Sequence, residues 1–61
     1  MKRSEAIGVR EAKKLDTSWT GYRLVNHGDG DWGLTARHPE TGERYTYCEA
    51  MGIFAYDPEE G

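Results

Sequence analysis

The chain has 61 residues, a single cysteine and a formal net charge of −3. One cysteine excludes an intramolecular disulfide, and no apolar run approaches the roughly 18 residues that cross a bilayer as a helix. A chain this short holds one domain and buries only about 60% of the surface its unfolded form exposes, so its seven aromatic residues must supply much of the core.

In chain order, Ser4 is placed to cap a helix and Glu5 to sit in its first turn. Ala6 to Leu15 is rich in helix formers and ends on Lys13 and Lys14, so a helix is predicted over residues 4–15. Its apolar stripe is untidy: Ile7 and Leu15 share a face with Glu11, while Val9 and Ala12 lie elsewhere. "DTSWTG", residues 16–21, reads as a stop and a turn.

From Tyr22 the hydrophobic period becomes two. Tyr22 and Leu24, then Trp32, Leu34 and Ala36, then Tyr45 and Tyr47 alternate with other residues, which predicts strands over 22–26, 32–37 and 44–48. Short connections make them antiparallel. In "HPETGE" the order of Pro39 and Gly42 fits a type I turn followed by a left-handed residue. The alternating set forms one sheet face, and the helix is expected to cover it. Residues 49–61 are expected to be irregular or briefly helical, with a fourth strand over Ile53–Tyr56 as the alternative. The predicted fold is α+β: an N-terminal helix on a three-stranded antiparallel sheet.

"NHGDGDWG", residues 26–33, spells G-x-G-x-x-G with Gly28, Gly30 and Gly33. A dinucleotide-binding loop needs a helix after the glycines, but "WGLTAR" alternates like a strand. Counted as a calcium loop from Asp29, the position that must be glycine is Leu34. A hairpin turn is the reading that remains. Catalytic and metal chemistry find no support either. His27, His38 and Cys48 lack the paired spacing of zinc ligands, and Glu49 beside Cys48 pushes a thiol away from reactivity. No catalytic residue, cofactor or metal is expected.

Charge is divided along the chain. Residues 1–23 carry six basic and three acidic side chains, a balance of +3, and residues 24–61 carry two basic and eight acidic ones, a balance of −6. The eight acids are Asp29, Asp31, Glu40, Glu43, Glu49, Asp57, Glu59 and Glu60. They fall on turns, a strand end and the tail, and are expected to gather into one exposed cluster. A surface of that kind attracts proteins whose grooves are built for phosphate.

In profile — very short, acidic, aromatic-rich strands, no catalytic set — the chain resembles the small acidic phage-encoded inhibitors of host defence, anti-CRISPR proteins among them. The resemblance rests on those eight carboxylates and on no motif. It implies a non-enzymatic inhibitor that binds a nucleic-acid-handling host protein, its carboxylates standing in for phosphates and no nucleic acid bound directly. The alternative is a small nucleic-acid-binding module that uses the basic N-terminal helix with Arg10, Lys13 and Lys14. The lone cysteine fits a reducing cytoplasm, and no apolar stretch follows Met1-Lys2-Arg3 to make a secretory leader. A monomer, or a homodimer through a sheet edge, is expected.

Overall fold

The computed structural model describes residues 1–56, in the order α1 (Arg3–Asp16), β1 (Thr20–Gly28), β2 (Asp31–Arg37), β3 (Arg44–Cys48) and β4 (Ile53–Tyr56). It is an α+β domain in which the four strands form one antiparallel meander in the order β1-β2-β3-β4. Among the described residues the sheet thus has four strands where three were expected. The correction falls on the segment expected to be irregular or helical. Phe54 pairs opposite Tyr47 and Tyr56 opposite Tyr45, so alternation sends Phe54 into the core at 8% exposure. A helical turn would have left that burial unused.

Helix α1 begins one residue before Ser4, with Lys2 in the capping position and no side chain bonding the first turn. The strand end holds the segment instead: the Trp32 N–H donates to the Met1 carbonyl at 2.6 Å. At the other end Thr17 closes the helix, its N–H and its hydroxyl both donating to the Lys13 carbonyl. The packing stripe is Ala6, Val9 and Lys13, spaced three and four apart. Ala6 is fully buried, Val9 touches the core and Lys13 is half-buried, whereas Leu15 is 87% exposed. The small Ala6 side chain lets the helix lie close to the sheet.

The helix packs over β1 and β2. Trp19, in the link after it, covers the other half of the sheet. Its ring lies 4.6 Å from that of Phe54 and meets Tyr45 and His38 edge-on, each at 5.1 Å between centroids. Leu34, Ala36 and Phe54 form the buried centre, with Tyr22, Leu24, Tyr45 and Tyr47 around it.

The glycine-rich stretch is a hairpin turn. Asp29 and Gly30 lie between β1 and β2 at φ 52° and 75°, the two positive values that a two-residue type I′ turn requires. Strand β2 follows directly, where a phosphate-binding loop would need a helix. The 38–43 turn closes with the Gly42 N–H on the His38 carbonyl and the His38 N–H on the Glu43 carbonyl.

Candidate functional site

A meander puts alternate turns at opposite ends. Asp29 in the β1–β2 turn and Asp31 at the start of β2 therefore share an end with Glu49, which opens the β3–β4 turn, while Glu40 and Glu43 lie at the other end. The expected single cluster is thus two groups among the described residues. Asp57, Glu59 and Glu60 lie outside them. The first group is drawn together by the Met1 ammonium, which bonds Asp31 at 2.7 Å and Glu49 at 3.0 Å. Its hydrogen bond with Asp31, then that with Glu49, raises the amine above its ordinary pKa, and the same bond holds Asp31 below the ordinary carboxylate value.

Three cations of α1 lie over aromatic rings. Arg3 lies 5.7 Å over the Trp32 ring, Lys13 6.0 Å over Tyr47 and Lys14 5.9 Å over Tyr22. Lys13 also reaches the Gly52 carbonyl at 3.5 Å, and Arg10 and Lys14 both meet Glu11. Their stems cover apolar surface and their heads face aromatic rings.

The face of the sheet turned away from α1 is basic. Arg23 on β1 stands opposite Thr35 on β2, Thr35 opposite Thr46 on β3, and Arg37 on β2 opposite Arg44 on β3. Cross-strand partners share a face, as do residues two apart on a strand. All three arginines therefore belong to this open face, across three adjacent strands. At about 4.8 Å per strand, the set spans roughly 10 Å. Among the described residues none of the three forms an ion pair with a carboxylate.

Two of these guanidinium groups are fixed in place. Arg44 donates to the Thr35 hydroxyl at 2.7 Å and to the Gly21 carbonyl at 3.2 Å, and Arg37 donates to the Gly42 carbonyl at 2.9 Å. Gly21, at φ 59° in a bulge of β1, makes room for the Arg37 stem: a Cβ there would lie 3.0 Å from Arg37 Cγ. Burial, and then the like charges of Arg23 and Arg37, hold Arg44 below the usual arginine pKa. Beside it the Thr46 hydroxyl is buried without a hydrogen-bond partner. Like charges gathered on one face are unfavourable in isolation and become favourable when an anion sits among them.

The open-face arginines were not among the residues singled out from the sequence, although a signal for them exists. Arg23 stands between Tyr22 and Leu24, Arg37 follows Ala36, and Arg44 precedes Tyr45. Each holds the parity opposite to a core residue. Compared with known protein families, with curated proteins and with solved structures, the chain matches none. No helix among the described residues is long and apolar enough to cross a membrane.

Proposed function

We propose that the protein is a non-enzymatic interaction module that docks an anionic macromolecule on the open face of its sheet. One observation carries this reading: Arg23, Arg37 and Arg44 share that face with no ion-paired carboxylate among the described residues. It keeps the nucleic-acid-binding alternative but moves the contact from the helix, whose cations lie over aromatic rings, to the strands. Retention on heparin tests it. Arg23→Gln and Arg37→Gln should each elute at clearly lower salt than the parent, and Lys2→Gln, away from that face, should elute with it. Equal elution of all four proteins refutes the reading.

The mimic reading stands second. It is favoured by the approach of Asp31 and Glu49, 18 residues apart in sequence, to one ammonium, with Asp29 exposed beside them. In that reading this end of the molecule alone occupies a phosphate-binding groove on a host protein, and Glu40 and Glu43 stay outside it. A host protein captured by the parent and lost with Asp29→Asn and Glu49→Gln together, but kept by Arg23→Gln, would favour it over the first.

A further inference from the structure

Resting on the open-face reading, we infer that the ligand is duplex nucleic acid, held by its phosphate backbone with no base stacked on the protein. The chemistry of the face points to phosphate. It offers three guanidinium forks, each matched to a phosphate oxygen pair. The forks on Arg37 and Arg44 are pre-positioned by their own hydrogen bonds, so little side-chain freedom is lost on binding. A span of roughly 10 Å across three strands suits an extended array of anions better than a single one.

The aromatic rings argue for the form of nucleic acid. Proteins that hold single strands stack bases on exposed aromatic side chains in a basic groove. Here Trp19, Tyr22, Tyr45, Tyr47 and Phe54 pack against one another on the helix side, with neighbouring ring centroids 4.6 to 6.2 Å apart. Trp32 and Tyr56 hold the same parity. The open face carries no Phe, Tyr or Trp among the described residues. A surface with charge and no stacking platform is governed by the ligand's charge density. A duplex presents one negative charge per about 1.7 Å of axis, more than a single strand does, and so should bind tighter.

The test is fluorescence anisotropy with an end-labelled duplex of about 20 base pairs, one of its single strands, and labelled polyglutamate. Three phosphate contacts give a slope of log affinity on log salt of about −2.7, so duplex affinity should fall about 40-fold between about 50 and 200 mM salt. Arg23→Gln, whose side chain is exposed and whose loss spares the core, should reduce that fall to about 12-fold. Tryptophan emission should not change on binding. Tighter binding of the single strand, with quenched tryptophan, would overturn the inference while leaving the open face in use if Arg23→Gln still weakens it. Polyglutamate bound in preference to duplex would overturn it in favour of an acidic protein partner. No binding of any probe, or binding indifferent to Arg23→Gln, would remove the open-face reading itself.

Discussion

Phe54→Ala is the substitution that most directly tests the fourth strand. Its ring is 8% exposed and lies 4.6 Å from Trp19, 5.6 Å from Tyr47 and 6.2 Å from Tyr22, between centroids. An aromatic side chain buries about 150 Å² or more. At about 25 cal/mol/Å² that is about 4 kcal/mol, and compactness of the unfolded chain reduces it to about 3 kcal/mol. The whole domain should be stable by only about 3–9 kcal/mol for its length. The alanine variant should therefore lose a third or more of its stability, or be unfolded in water. Phe54→Leu keeps most of the apolar volume and should cost about 1.5 kcal/mol or less. Urea unfolding followed by far-ultraviolet circular dichroism measures both. With a slope near 1 kcal/mol/M, the alanine midpoint should drop by about 3 M. A drop under about 1 M at unchanged slope would mean that Ile53–Tyr56 docks loosely, and the four-stranded core would be refuted.

The remaining predictions concern turns, a close contact and pH. Gly30→Ala places a side chain at φ 75° in the type I′ turn and should cost about 1–2 kcal/mol by the same unfolding assay, whereas Asp29→Asn suits the turn and should leave stability within about 0.5 kcal/mol. Gly33→Ala brings a Cβ to 2.5 Å from His27 Nε2, but the exposed imidazole can swing aside, so the cost should stay within about 0.5 kcal/mol and vanish with His27→Ala. Asp31 has a folded pKa below its ordinary 3.8, so its contribution to stability is present above that value and lost as pH falls through the lower folded one. The Met1 amine has a folded pKa above its ordinary 8.0, so its contribution is full below 8.0 and lost as pH rises through the higher folded one. Stability against urea should thus decline on both flanks, and Asp31→Asn should soften both declines; identical profiles for parent and variant would count against this contact.

Much of the architecture was legible because alternation is a strong signal. Alternation assigns Tyr22, Leu24, Trp32, Leu34, Ala36, Tyr45 and Tyr47 to one face; six of them pack on the core, and Trp32 lies instead beneath Arg3. The helix was legible as an element but not in its orientation. Its sheet-facing stripe is Ala6, Val9 and Lys13, a small residue, a β-branched one and a lysine stem, which a hydropathy pattern does not mark as a face. The fourth strand was ambiguous because four residues show too few periods to separate strand from helix. What decides it is Tyr47, the cross-strand partner that gives Phe54 a place in the core. The role of Trp19 was hidden for a similar reason: nothing local says that a link residue will roof β3 and β4.

Charge follows a different rule from hydropathy. A sum along the chain does not show it, because a sheet with one covered face sorts charge by parity. Every second strand residue goes to the helix side, where charge is excluded, so a strand's charged residues are forced onto the other side together. Arg23, Arg37 and Arg44 meet for that reason, from positions up to 21 apart in sequence. The acids, favoured in turns, are sent to the sheet's two ends. Screening then decides what a ligand feels. At one end Asp31 lies four strand residues from Thr35, about 13 Å away, beyond the Debye length of about 8 Å at physiological salt; at the other, Glu43 is the chain neighbour of Arg44 and stays within it. A net charge of −3 governs approach from afar, while contact on the open face meets three guanidinium groups, of which Arg23 is the one set back from the acidic turn. An acidic protein with a basic band should repel duplex at long range and hold it at short range, which predicts slow association for its affinity rather than an absence of binding.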